Sequence, residues 1–572
     1  MITEKRTHQC TYAKFSEIIF LYFVAIVAIT IPIYFAMLDP DWHHDGIMFK
    51  PASDLATGLT LYKDSFFQYG ALTAYLHAFA LKIFGHYLVV IRLEAALFLS
   101  LIALLMFLIT NRSTSKIVAG LTVVIWISLA PYMGETLLPW SSIYALFFVI
   151  LSSFFLCIAL DHTVTSNKAC WVSFAAGISI SCAFWARQPV GLIFPIAFLI
   201  FPVFLLDKKF ALKRLATSAA FYCLGFIVVA ILMTLALFMS GSLKDWWIQS
   251  IVGASSFMTE VGHTEKTFFA NVFDHLFPVE PRSNRIKGMG GGYIWSLLPI
   301  LNLITFLVVA AQLLIKRSLS LACKNLLIVS IFAVGMWHQY FPVSGAWQIY
   351  WGASLMVVSI SIGIYLVLTT MVPSKKFATV GLVLILGLIF VPESSRRVQS
   401  GLEATLLHRL TIPTLEGMWA TARFASRNRF TGGSAEYEQE LLRLENALRQ
   451  VKKLDPDRAL TTLTADLYLS ATLAAANPGP MTAGWYLVSR LYPDHQMQLK
   501  KFIKEKQPII EIKATPRVPF RYINWLSEDP EHIEIREEFG LADYGVLLES
   551  EYSDSGTSLF LAPRSLLKEM QN

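Results

Sequence analysis

The sequence predicts an α-helical polytopic membrane protein with about eleven transmembrane helices and a C-terminal extracytoplasmic α/β domain. Three observations carry that prediction. Of the 572 residues, 55% are hydrophobic and 15% charged, with a mean hydropathy of +0.55, which excludes an ordinary soluble globule. Apolar runs of roughly 16 to 25 residues, long enough to cross a hydrocarbon core, recur through the first 391 residues. From Pro392 the composition turns mixed and charged and stays so to Asn572.

The first apolar run, Ile18 to Met37, follows Lys5, Arg6 and Lys14 and lacks a small-x-small cleavage site, so it reads as an uncleaved span with a cytoplasmic N-terminus. Leu88 to Thr110, Ile117 to Met133, Ser141 to Leu160, Trp171 to Ala186 and Gly191 to Leu206 follow. Then come Ala216 to Ser240, Ile294 to Ile315, Asn325 to Trp337, Ile349 to Leu368 and Phe377 to Val391. Alternate connections carry Arg112 and Lys116, Lys168, Lys208 to Arg214, Lys316 to Lys324, and Lys375 with Lys376. The positive-inside rule makes these cytoplasmic. The connections 38–87, 134–140, 187–190, 241–293 and 338–348 then face outward, as does the C-terminus. Ala71 to Phe84 is apolar but short, and it reads as a helix along the outer interface.

Beyond Pro392, Glu436 to Lys452 places Leu441, Leu444, Leu448 and Val451 on one helical face. Ala459 to Thr464, Pro508 to Ile512 and Tyr544 to Leu548 read as strands between helices at Leu467 to Ala475 and Met497 to Lys506. Asn477-Pro478-Gly479-Pro480 marks a turn. The division is thus 1–391 in the membrane and 392–572 outside it. The formal charge of +7 sits largely in short loops and reports orientation rather than affinity for nucleic acid, for which no motif is present. The six cysteines, Cys10, Cys157, Cys170, Cys182, Cys223 and Cys323, show neither zinc nor disulfide spacing.

Chemistry is expected in the first outward connection, which packs Asp39, Asp41, His43, His44 and Asp45 against a membrane boundary, where uncompensated charge is expensive. It continues through Gly58, Tyr62-Lys63-Asp64, Gln68-Tyr69-Gly70 and the apolar helix to Phe84-Gly85, with Arg92 in the next span. This order resembles the first loop of the GT-C glycosyltransferases, the group that includes protein O-mannosyltransferases and the lipid A aminoarabinose transferase. Those loops start with an Asp just past the first span, pass a Gly-x-x-x-Tyr element and an interfacial helix, and reach Phe-Gly before an Arg. The resemblance covers about the first hundred residues.

It implies transfer of a sugar from a polyprenyl-phosphate donor to a glycan, lipid or protein acceptor outside the cytoplasmic membrane, with inversion at the anomeric carbon; the lack of disulfide spacing and the compact loops point to a prokaryotic inner membrane. Asp45 is the expected general base, since an acceptor hydroxyl must lose its proton as it attacks. The family often shows Asp-Glu where this chain has Asp45-Gly46, so Asp41 and His44 stand as alternatives. Glu135, in the second outward loop, is a further candidate acid. Stabilising a phosphate leaving group calls for basic residues at that membrane face. Arg92 and Arg187 lie there, and Trp185-Ala186-Arg187-Gln188-Pro189 resembles a Lys-Gly-Pro element of the aminoarabinose transferase group. A structural Arg92–Glu94 pair and an Arg187 membrane anchor are the competing readings.

Tyr62, Lys63, Gln68, Tyr69, His338 and Gln348 are the remaining expected substrate contacts; aromatics around the last two also suit an interfacial belt. No cofactor is predicted, and a divalent cation on His43, His44 and the neighbouring Asp residues is an open alternative. The loop with Lys244-Asp245-Trp246-Trp247, His263, Arg282, Arg285 and Gly288 to Gly292 could form a lid over the donor. A lipid-linked sugar flippase and an oligosaccharide ligase are the alternative functions.

Overall fold

The computed structural model describes residues 2–37, 42–134, 137–253, 292–340, 346–372, 374–407, 435–462, 491–492, 494–513, 539–552 and 556–571. All eleven apolar runs are helical over most of their length. Nine helices among the described residues are long and apolar enough to cross a membrane. They are α1 (Ile2–Ala36, apolar from Ser16), α4 (Leu88–Ser113), α6 (Ser141–Ala159), α7 (Ser166–Ala186), α10 (Leu212–Met239), α12 (Gly292–Lys316), α13 (Leu321–Gly335, continued by a 3-10 turn Met336–Tyr340), α14 (Ala346–Met371) and α15 (Lys375–Leu407).

The other two runs fall short of the expected eleven full spans, each for a local reason. The helix α5 is Lys116–Ser128, 13 residues long, or ~20 Å; Pro131 follows and opens a separate 3-10 turn, Pro131–Gly134. The segment after α7 is a 3-10 turn, Gln188–Leu192, followed by α8 (Ile193–Phe198) and α9 (Ile200–Phe204). Pro189, Pro195 and Pro202 each remove a backbone donor from it, so a continuous helical ladder cannot form.

Inside the bundle α7 packs on both α6 and α10. Two glycines set the α7–α10 distance: a Cβ on Gly177 would lie 1.9 Å from the Tyr222 carbonyl oxygen, and one on Gly225 would lie 2.1 Å from that of Phe174. Small residues at such crossings let backbones approach where lipid offers no hydrophobic drive between helices. The opposite surface of α10 carries exposed Leu224, Ile227, Ile231, Leu235 and Phe238, as expected of a lipid-facing stripe.

At the end of the bundle where α1 finishes lie α2 (Trp42–Thr57) and the apolar α3 (Ala71–Phe84). The latter is helical over the expected bounds, burying His77, Ala78 and Leu81 while exposing Phe79, Ile83 and Phe84. The short α11 (Leu243–Trp247) and a π-helical turn, Ile248–Val252, follow α10 at the same end. The composition shift at Pro392 does not end α15, which runs on to Leu407. There Ser128 Oγ donates to Ser394 Oγ at 2.7 Å, and Arg397 Nε donates to Glu393 at 3.1 Å.

The C-terminal region contains α16 (Ala435–Leu454), β1 (Leu460–Thr462), α17 (His495–Lys506), β2 (Ile509–Lys513), β3 (Tyr544–Tyr552), β4 (Gly556–Pro563) and α18 (Arg564–Gln571). The strands form one sheet in the order β1-β2-β4-β3. The pair β1–β2 is parallel with Leu460 opposite Ile509, and the others are antiparallel, with an irregularity between Val546 and Leu548. Leu499, Ile503, Ile510, Phe539 and Leu561 form the buried core on one face. The three expected strands and the helices around 436–452 and 497–506 are present; β4 and α18 are additional. The expected helix 467–475 and the turn 477–480 lie outside the described residues.

Candidate functional site

The first turn of α2 carries Asp45, and α4 carries Arg92; both side chains are fully buried. Arg92 Nε donates to Asp45 Oδ1 at 3.1 Å and Nη2 donates to Oδ2, while Nη1 reaches the Ala36 carbonyl at 3.4 Å. This two-bond fork ties the start of α2 to the end of α1 and to α4. Arg92 therefore pairs with Asp45 and not with Glu94, since residues two apart on a helix do not face one another. Glu94 instead meets His77 Nδ1 at 2.8 Å. The other ring nitrogen of His77 donates to the Pro139 carbonyl at 3.2 Å, which holds the segment leading to Trp140.

The neighbouring His44 faces a different group. Its ring centroid is 5.2 Å from that of Trp140, and Trp140 lies 6.5 Å from Tyr69. The Tyr69 ring packs against the Arg187 guanidinium at 5.5 Å, and Arg187 Nη1 donates to Ser141 Oγ at 3.2 Å. The sequence builds this cluster from backbone docking. Gly70 sits where a Cβ would come within 2.0 Å of the Trp185 carbonyl oxygen, and Thr73 Oγ1 donates to the Ala186 carbonyl at 3.1 Å. The first connection is thereby pressed onto the end of α7, where Arg187 follows.

His338 belongs to the 3-10 turn Met336–Tyr340, which packs on the turn Gln188–Leu192 and lies within electrostatic range of Arg187. Its Nδ1 donates to the Gly335 carbonyl at 2.8 Å, so Nε2 accepts from the Gln339 amide. Several buried donors in this neighbourhood make no hydrogen bond among the described residues: Arg187 Nε, Gln188 Nε2, Trp140 Nε1 and Trp337 Nε1. Buried polar groups are ordinarily satisfied, so this concentration of donors suits an anionic ligand.

The remaining expected site residues are placed unevenly. Tyr62 is fully buried, and its hydroxyl donates to the Tyr69 carbonyl at 2.7 Å. Lys63 is exposed, Gln68 is half-buried, and Gln348 is half-buried in the first turn of α14. Asp41, Glu135, the His43 side chain and the stretch containing His263, Arg282 and Arg285 lie outside the described residues. Among the described residues no three His, Cys, Asp or Glu side chains come together as a metal site. Sequence reasoning missed Trp140, Ser141 and His77. The pairing of a buried histidine in an interfacial helix with an acid in the next span was a usable signal for His77; nothing local marked Trp140.

No family model matches the sequence, and no curated protein matches it either. Solved structures do. ArnT from Cupriavidus metallidurans in the apo state is similar with a TM-score of 0.52 and 13% identity, covering 97% of this chain and 99% of that one. The same protein bound to undecaprenyl phosphate gives 0.52 and 12%, covering 96% and 98%. The oligosaccharyltransferase of Archaeoglobus fulgidus in the apo form gives 0.51 and 13%, covering 88% and 70%. The chain is a multi-pass membrane protein that shares, over nearly all its length, the fold of ArnT and of the archaeal oligosaccharyltransferase.

Proposed function

We propose that the protein is an integral membrane glycosyltransferase that moves a sugar from a polyprenyl-phosphate donor to an acceptor hydroxyl on a glycan, lipid or protein. The observation that carries this reading is the Arg187 cluster: a guanidinium packed on Tyr69, bonded to Ser141, and surrounded by buried donors with no partner. Such donors, fixed before the substrate arrives, stabilise charge developing on a departing phosphate. That undecaprenyl phosphate is bound by ArnT, which has the same fold, supports the lipid phosphate as the ligand.

In the reaction the acceptor oxygen attacks the anomeric carbon as the bond from that carbon to the phosphate oxygen breaks. The electron pair leaves with the lipid phosphate, and the acceptor's proton passes to a base of the protein. Attack opposite to departure inverts the anomeric centre. Asp45 is the proposed base, with Arg92 fixing its orientation. A second reading gives the proton to His44, because its ring faces Trp140 and the cluster whereas the Asp45 carboxylate is fully buried. By the positive-inside rule the cluster faces the outer side of an inner membrane, with the N-terminus cytoplasmic and the C-terminal region outside.

The test is transfer of radiolabelled sugar from undecaprenyl-phosphate-linked donors by the purified full chain in detergent. Wild type is compared with Arg187→Ala, Asp45→Asn and His44→Gln at equal folded fraction. Transfer that falls on removal of Arg187, and on removal of one of the two bases, is expected. A wild type that neither transfers sugar nor binds undecaprenyl phosphate would overturn the proposal.

A further inference from the structure

Gln249 is fully buried in the π-helical turn after α11 and makes hydrogen bonds that leave nothing on its amide idle. Its Oε1 accepts from the Phe67 backbone N–H at 2.9 Å. Its Nε2 donates to the Tyr62 carbonyl at 2.6 Å and to the Tyr492 hydroxyl at 3.0 Å. Tyr492 in turn donates to Asp245 at 2.9 Å. The next residue, Ser250, donates to the Tyr69 carbonyl at 3.1 Å, beside the bond that Tyr62 makes to the same oxygen. Successive residues of a regular α-helix diverge by ~100°, yet Gln249 and Ser250 both reach the first connection. Wide turns of this kind recur at functional sites.

The backbone that Gln249 grips is itself unusual. Tyr62 has φ 68°, a left-handed conformation that costs a non-glycine residue free energy and persists only where its surroundings enforce it. Here the enforcement is visible on both sides of the peptide: the Tyr62 carbonyl is held by Gln249, and its N–H donates to the Ser65 carbonyl at 2.9 Å. With the backbone so turned, the Tyr62 side chain is directed at the Tyr69 carbonyl. Tyr69 is the residue whose ring covers Arg187.

From this chain of contacts we infer that Gln249 is a positioning residue for the lipid-phosphate site: it holds Tyr62 in its left-handed turn and thereby Tyr69 against Arg187. Tyr492 makes that hold depend on the C-terminal region. The inference rests on the donor site proposed above. It assigns the segment after α11 a part in ligand binding that its own residues do not touch.

The test measures binding of undecaprenyl phosphate to the full chain in detergent for wild type, Gln249→Leu, Tyr69→Ala, the double variant and Tyr492→Phe, with thermal unfolding recorded for each. Gln249→Leu and Tyr69→Ala should each weaken binding about tenfold, and the double variant about tenfold rather than about a hundredfold, because both act through one contact. Tyr492→Phe, which keeps the ring and removes two hydrogen bonds, should weaken binding about threefold to fivefold and carries the test if Gln249→Leu does not fold. Wild-type affinity in Gln249→Leu, or in a folded Tyr492→Phe when the leucine variant is lost, overturns the inference while leaving the donor site standing. So does a fully additive double variant. A wild type that does not bind undecaprenyl phosphate overturns the donor site, and this role with it.

Discussion

Replacing Asp45 by Asn should destabilise the protein before any question of catalysis arises. The Asp45 carboxylate and the Arg92 guanidinium are both fully buried and joined by a fork, one arm of which measures 3.1 Å. Asn keeps the size of the side chain but removes the negative charge, so the buried guanidinium loses this carboxylate and faces a neutral amide in its place. Breaking a buried pair on one side typically costs about 3–5 kcal/mol, most of it the penalty of the remaining charge. Removing both charges costs less, because no buried ion that has lost this counter-charge remains. Thermal unfolding in detergent of Asp45→Asn, Arg92→Met and the double variant checks this. Both single variants should melt well below wild type, and the double variant should recover a large part of the loss. A single Asp45→Asn that melts with wild type would refute the reasoning, since the Arg92 charge would then be balanced by something other than this carboxylate. The result also governs how transfer assays are read, because a loss of activity counts against a base only at equal folded fraction.

Gly177→Val should prevent the α7–α10 contact, since even a Cβ would lie 1.9 Å from the Tyr222 carbonyl oxygen; the yield of monodisperse protein on size-exclusion chromatography measures it. His77→Leu strips the Pro139 carbonyl of its donor and Glu94 of its ring partner and should cost about 1–3 kcal/mol, with His77→Gln costing less, both read from thermal midpoints. Gly70→Ala pushes against the Trp185 carbonyl and should lift Tyr69 from Arg187, weakening undecaprenyl phosphate binding about tenfold.

The membrane architecture was legible because hydropathy is a local sum: each span announces itself within its own 20 or so residues. Where proline interrupts that sum, as at Pro195 and Pro202, apolarity persists while the helix is broken into short pieces, so a hydropathy reading finds the run but not its breaks. The sheet was readable in β1, β2 and β3, whose apolar runs stand between turn signals. It was less so in β4, where Gly556-Thr557-Ser558 opens the strand with residues that also suit a turn. The site divides in the same way. Asp45, Arg92 and Arg187 stand out as charges at membrane boundaries, but Asp45 and Arg92 pair across 47 positions, which sequence proximity does not reveal, and the alternative pair with nearby Glu94 does not form. Tyr62 was noticed as a side chain, whereas its left-handed backbone depends on Gln249, 187 positions distant, which no local pattern announces.

The interlock of Gly177 and Gly225 also bears on how a bulky lipid is admitted. Where two helices meet through side chains, rotamer changes let them part by small steps; where they meet backbone to backbone, there is no such slack. α7 and α10 should therefore behave as one stiff beam, with Arg187 fixed at its end. The loop bearing Tyr69 meets the same beam backbone to backbone at Gly70, so Tyr69 and Arg187 are held in one register. Any widening must then come from a wall that meets this unit through side chains, such as the turn bearing His338, where Gly335 faces the side chain of Ile193.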